Sequence, residues 1–188
     1  MNQKIDNPPR WEVQRWLNTN EPITLDSLKG RVVALHTFQM LCPGCISHGL
    51  PQATQIQKTF SIDDVAVIGL HTVFEHHDVM TPRALEVFVH EYGWSFPIGI
   101  DRPSKDGEVP QTMAAYGMRG TPSLLLFDHR GGLRHHDFGR AGDMLVGAKL
   151  MALLAERDSA LARSTNNAED GSEIAGSKRD CSDGSCAL

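Results

Sequence analysis

Residues 31–51 read Arg31-Val32-Val33-Ala34-Leu35-His36-Thr37-Phe38-Gln39-Met40-Leu41-Cys42-Pro43-Gly44-Cys45-Ile46-Ser47-His48-Gly49-Leu50-Pro51. The stretch Arg31–Phe38 is nearly continuous in apolar residues, the pattern of a strand covered on both faces with parallel neighbours. From Cys45 to Phe60 the period changes: Ile46, Leu50, Ala53, Ile56 and Phe60 recur near one helical face, with a kink expected at Pro51. Cys42-Pro43-Gly44-Cys45 therefore sits on a strand-to-helix junction. Cys42 takes the helix N-cap, where unpaired backbone N–H groups and the positive dipole end favour thiolate over thiol. Pro43 takes the first helical position, where its missing N–H costs nothing. Cys45, one turn on, faces inward and can resolve a mixed disulfide formed at Cys42.

Outward from this junction, Val65–His71, Phe96–Ile100, Ser123–Phe127 and Leu133–Phe138 read as further strands. Thr81 to Tyr92 reads as a helix with Thr81 as N-cap and Pro82 at its first position. Pro110 to Tyr116 is a short helix, and Met144 to Arg157 a longer one, apolar at Leu145, Ala148, Met151, Ala152 and Ala155. Gly131-Gly132 after Asp128 marks a hairpin between the last two strands, so the sheet is mixed. A β-α-β unit followed by a hairpin and a closing helix is a three-layer α/β/α sandwich. Trp11, Val13, Trp16 and Leu17, in an N-terminal extension over residues 1–19, read as an apolar cap on the sheet edge, or as a docking surface.

The 188 residues carry 18 bases and 23 acids, a net charge of −5, which does not suggest nucleic-acid or anionic-membrane binding. No apolar run approaches the roughly 18 residues that span a bilayer. The opening residues show neither an apolar core nor a small-residue cleavage site, which points to a cytoplasmic protein. In that compartment a CxxC beside a β-α-β pattern reads first as a redox pair. The last 25 residues hold five acids and two bases, and Ile174 is their only large internal aliphatic residue. They cannot bury enough apolar surface to offset their ordering entropy, so residues 158–188 are expected as a flexible tail beyond a domain over residues 20–157. That tail contains Cys181-Ser182-Asp183-Gly184-Ser185-Cys186.

Three segments together resemble the thioredoxin superfamily, within it the redoxin group of TlpA-like reductases and AhpC/TSA-type peroxiredoxins. They are the lead-in Pro22 to Val33, the Cys42–Cys45 motif, and Tyr116-Gly117-Met118-Arg119-Gly120-Thr121-Pro122 before a strand ending at Asp128. The resemblance covers about residues 20 to 157. It implies a thioredoxin fold, Cys42 as attacking and Cys45 as resolving thiol, and a cis Thr121–Pro122 bond beside them. In such proteins the backbone before that proline pairs with the disulfide substrate.

The chain departs from that pattern. Leu41 stands where thioredoxins usually have tryptophan, and His36 where the family has a buried acid. A neutral imidazole at His36 can take the Cys45 proton; the plainer reading is a hydrogen-bonded core histidine. A second alignment likens Pro43 to Pro51 to atypical peroxiredoxins, with Cys45 as the peroxide-reducing cysteine and Cys42 in place of an activating threonine. Phe38 and Pro122 then occupy the positions of that family's supporting proline and arginine.

His71-Thr72-Val73-Phe74-Glu75-His76-His77-Asp78 and His48 gather near the active edge, as a metal or proton-relay site or as a polar loop shaping access. His135 and His136 point to opposite faces of the last strand and suggest no function. Cys181 and Cys186 read as a tethered redox pair, as partners of Cys42 and Cys45 in a zinc site, or as bystanders. No haem, flavin or nucleotide motif is present, so no cofactor is expected, and electrons must come from another thiol protein or a small thiol. The expectation is a thiol–disulfide oxidoreductase acting on protein or small-molecule disulfides. Pro43-Gly44 adds no cation beside Cys42, which favours the reducing direction. A thiol peroxidase and a metal carrier are the alternatives.

Overall fold

The computed structural model describes residues 4–173. Six strands form one mixed sheet in the order β1-β4-β3-β2-β5-β6. Its centre is β2 (Val32–Phe38), buried at every position, with β3 (Val65–His71) parallel on one side and β5 (Ser123–Phe127) antiparallel on the other. Both flanking strands are also buried throughout, which explains their unbroken apolar runs. β4 (Ile98–Asp101) lies parallel to β3, and β6 (Leu133–Phe138) closes the far edge antiparallel to β5. At the β5–β6 turn, Asp128 Oδ1 accepts the N–H groups of Arg130 and Gly132 at 3.0 Å each.

The sheet separates two apolar clusters. On one face Val32, Ala34 and Phe38 of β2 pack with Cys45, Leu50, Ala53, Leu85, Leu150 and Leu153. Cys45 lies in the turn just before helix α1 (Leu50–Thr59), and the others come from α1, α2 (Pro82–Tyr92) and α4 (Asp143–Glu173). On the other face Val33 and Leu35 pack with Met113, Tyr116, Leu125 and Phe127 beside the short helix α3 (Gln111–Ala115). Helix α2 begins as its sequence predicts: Thr81 Oγ1 accepts the Ala84 N–H at 3.2 Å, with Pro82 at the first turn.

Three expectations change in detail. Val13–Leu17, expected as part of an apolar cap on the sheet edge, lies at that edge as a strand, β1, antiparallel to β4. Its register shifts between Val13 and Arg15, which breaks the alternation that would reveal a strand. The strand expected from Phe96 starts at Ile98. Helix α4 does not stop at Arg157 but runs to Glu173, so residues 158–173 are helical where a flexible tail is expected. Arg157 donates to Asp64 at 2.8 Å, and the next turns, Ser159-Ala160-Leu161-Ala162-Arg163, are mostly good helix formers.

Candidate active site

Beyond Phe38, Gln39 Oε1 accepts the Phe74 N–H and its amide donates to Glu75, both at 3.3 Å, so the buried Gln39 ties the β3–α2 loop to the end of β2. The chain then turns through Met40 and Leu41 into the helix. Pro43 and Gly44 are its first helical residues and Cys42 precedes them, as the sequence predicts. The turn Cys45–Gly49 is π-helical, with the Leu50 N–H bonded to the Cys45 carbonyl. Pro51 accounts for this widening: it has no N–H for the carbonyl four residues back, and its ring crowds that carbonyl. The expected kink takes the form of a π turn.

Cys42 and Cys45 are joined as a disulfide, with Cα atoms 5.2 Å apart. The two sulfurs differ in access: Cys42 is half-buried, whereas Cys45 has no exposed surface. The Cys45 backbone N–H points at Cys42 Sγ, 3.2 Å away. That amide, at the helix start, stabilises negative charge on the Cys42 sulfur once the disulfide opens. Cys42 Sγ also lies 3.5 Å from the Thr121 carbonyl oxygen.

Thr121–Pro122 is a cis peptide. It is brought to the cysteines by contacts that sequence reasoning missed. A Cβ on Gly44 would lie 3.3 Å from Pro122 Cδ, and one on Gly49 would lie 3.1 Å from Pro122 Cβ. Two glycines on the active-site helix thus present bare backbone to the proline. The signal that could have found this contact is the pair of glycines itself, since each costs about 1 kcal/mol against alanine inside a helix. The far side of the loop is anchored by Ser123, whose N–H donates to Thr37 Oγ1 at 3.2 Å and whose hydroxyl donates to the Gly120 carbonyl at 2.8 Å. The Gly139 N–H bonds the Pro122 carbonyl at 2.8 Å.

His36 lies on β2 between Ala34 and Phe38, on the sheet face that carries Cys45. It is buried, its Nε2 has no hydrogen-bond partner, and burial holds its pKa down at about 3. The imidazole is therefore neutral. His71, on the same face, packs 5.3 Å from the Phe38 ring with both ring nitrogens unpartnered, and burial lowers its pKa to about 4. His76 and His77 are exposed on the loop, and His48 Nε2 meets the Ala141 carbonyl at 2.9 Å. Among the described residues no three His, Cys, Asp or Glu side chains converge as a metal site. Cys181 and Cys186 lie outside the described residues.

Two surfaces flank Cys42. On one side Met40, Leu41, Val79, Met80, Val87 and Phe88 line an apolar groove of about 370 Å³. On the other, the Arg119 guanidinium sits 4.9 Å over the Phe138 ring beside the Thr121–Pro122 loop. Arg140 is exposed between Gly139 and Ala141, which touch Pro122 and His48. Neither arginine forms an ion pair among the described residues.

No protein-family model matches the chain. DipZ of Mycobacterium tuberculosis is 32% identical over 141 residues, covering 74% of this chain, which spans only 19% of DipZ's length. A solved thiol-disulfide isomerase from Corynebacterium glutamicum is 47% identical with a TM-score of 0.76, covering 80% of this chain and 98% of its own. A solved thioredoxin-like superfamily protein is 53% identical with a TM-score of 0.76, covering 78% of this chain and 94% of its own. With a sequence likeness of that extent, a matching mixed sheet and a cysteine pair at the strand-to-helix junction, this chain belongs to the thioredoxin-like superfamily.

Proposed function

We propose that the chain is a thiol–disulfide oxidoreductase working chiefly as a disulfide reductase. The observation that carries this reading is the asymmetry of the pair: one sulfur accessible and solvated by a backbone N–H, the other fully buried behind it. In the reduced protein the Cys42 thiolate attacks a substrate disulfide. A mixed disulfide forms and the first substrate thiolate leaves. Cys45 then attacks Cys42 Sγ, the second substrate thiolate leaves, and the Cys42–Cys45 disulfide forms as the substrate gains two electrons. A small thiol or a thiol protein returns the electrons.

The Thr121 carbonyl beside Cys42 is the edge on which the substrate backbone pairs in this reading. His36, on the sheet face that carries Cys45, stays neutral because burial holds its pKa at about 3, and that low value makes it a weak base for the Cys45 thiol. The thiol peroxidase reading is not favoured, because its nucleophile would be Cys45, which has no exposed surface and lies behind Cys42.

Stopped-flow reaction of the reduced protein with a model protein disulfide and, separately, with hydrogen peroxide tests the proposal. Exchange is expected to be fast, abolished by Cys42→Ser, and arrested at a covalent mixed disulfide by Cys45→Ser. Rapid peroxide consumption that survives Cys42→Ser but not Cys45→Ser would overturn it.

A further inference from the structure

Two arginines border the loop that carries Thr121 and Pro122. Arg119 stands two residues before Thr121, whose carbonyl oxygen lies 3.5 Å from Cys42 Sγ. The Phe138 ring packs against Gly120, where an added Cβ would stand 3.0 Å from Phe138 Cε2, and the Arg119 guanidinium rests 4.9 Å over that ring. This stacking holds the cation at the rim instead of leaving it on a free arm. Arg140 meets the same loop from beyond β6. It follows Gly139, whose N–H bonds the Pro122 carbonyl at 2.8 Å, and it is exposed.

Among the described residues the neighbouring charges leave this rim positive. Asp137 is taken up by Lys149 at 2.6 Å. Asp143 accepts the Gln52 amide at 2.7 Å and keeps its charge, so two guanidiniums stand against one carboxylate. Burial chiefly, with Arg119 adding to it against Asp137, holds His136 below the ordinary histidine value, so it is neutral at pH 7. Glu75, Asp78 and Glu91 belong to the opposite surface: Glu75 accepts the Gln39 amide, Asp78 precedes Val79, and Glu91 lines the apolar groove. The whole chain carries −5, and a Cys42 thiolate adds to it, so an acidic partner finds its attraction at the two arginines. Charges beyond about 10 Å are screened at ordinary salt, which leaves the rim next to the attacked sulfur in control.

We propose that Arg119 and Arg140 select disulfide partners that carry acidic residues next to the reacting cysteine. The inference rests on the disulfide-exchange reading above and names the substrate class of that site. The partner's carboxylates lie against the two guanidiniums while Cys42 attacks the neighbouring sulfur, and the exchange then runs as already described. The arginines are specificity residues: they place the partner and take no part in making or breaking a bond. Because both are exposed, the pairing acts mainly on association and fades as salt rises.

The test uses the reduced full-length protein and symmetrical disulfides of short synthetic peptides. Each peptide carries two aspartates, two asparagines or two lysines on one side of its cysteine and alanines on the other, in both chain orders. Every second-order rate is divided by that of dithiothreitol, a neutral dithiol, with the same peptide, which removes the effect of the charges on the sulfur itself. In at least one chain order the normalised rate is expected to fall from aspartate through asparagine to lysine. The aspartate peptide should exceed the lysine peptide by about tenfold at low salt, the effect of two exposed ion pairs. That preference should collapse at about 1 M salt and in Arg119→Ala/Arg140→Ala, and persist in Arg119→Lys/Arg140→Lys, which keeps the charge. Should Arg119→Ala not fold, Arg140→Glu alone serves and should cut the preference at least about threefold. Equal rates in both orders, lysine ahead in both, or a preference that survives loss of the arginines would each overturn the proposal. Exchange with the asparagine peptide reports the underlying reading: fast exchange without charge preference overturns the rim proposal alone, and no exchange with any peptide overturns both.

Discussion

Gly49 and Pro122 lie face to face across the active site, so close that a single added methyl on Gly49 would stand 3.1 Å from Pro122 Cβ. Seventy-three positions separate them in the chain, yet this contact seats the Thr121–Pro122 loop against the cysteine helix. Neither partner can yield cheaply. Gly49 is buried on a helix whose next residue, Leu50, is fully buried, and Ser123 holds the loop to β2 from behind.

Replacing Gly49 by alanine is therefore expected to push the loop away from Cys42. An exposed helical Gly→Ala change gains about 1 kcal/mol of helix propensity. Here the crowding should outweigh that gain, lowering stability by about 1–3 kcal/mol and slowing exchange with a protein disulfide about tenfold. Urea unfolding and stopped-flow exchange measure the two effects; a variant more stable than wild type with unchanged exchange would refute the contact's role.

Gly147→Ala supplies the contrast. Gly147 sits in α4, and nothing lies within 4 Å of a Cβ built there. The same substitution should stabilise the protein by about 1 kcal/mol through propensity alone, raising the urea midpoint and leaving exchange as it is.

Thr37→Val removes the hydroxyl that accepts the Ser123 N–H, while keeping the shape of the side chain. A buried donor left without its partner costs about 1–3 kcal/mol. The loss should appear as a lower Tm together with a weaker rate of disulfide exchange, since Ser123 directly follows Pro122. Thr37→Ser, which keeps the hydroxyl, should recover most of the exchange rate.

His36 and His71 make stability depend on pH with a definite sign. Burial holds their folded pKa values at about 3 and about 4, against 6.5 for an unperturbed histidine. As pH falls below 6.5 the unfolded chain takes up protons that the folded chain refuses, so stability is full at neutral pH and is lost with acidification. At about pH 5 each histidine should account for about 2 kcal/mol of loss. Urea unfolding at about pH 7.5 and about pH 5 should show the loss shrinking by about 2 kcal/mol in His36→Leu; an unchanged loss would mean that His36 is not neutral in the fold.

Much of the architecture could be read from local pattern. Three of the five expected strands, Val65–His71, Ser123–Phe127 and Leu133–Phe138, match their observed bounds, because strands buried on both faces announce themselves in composition. Helix α2 begins at the expected cap, because a threonine followed by proline satisfies the first turn from within the sequence. The Cys42–Cys45 junction is local in the same way: the change of period, the helix start and the cysteine spacing all lie within thirty residues.

Other features depended on surfaces that meet only after folding. Val13–Leu17 gives no clean alternation because its bulge lets it pair with β4, and only the open edge of the sheet makes it a strand. The glycines at 44 and 49 gain their meaning from Pro122, which the β2–β5 pairing delivers. His36 is neutral, with its Nε2 unpartnered, because the folded chain buries it, a condition set by burial rather than by residue type. The sequence by itself determined which residues can carry thiol chemistry and where helix and strand begin, since propensity, capping and periodicity act over a few residues. The tertiary structure alone decided which sulfur is exposed and what packs behind it, because burial and long-range pairing exist only once the sheet has closed.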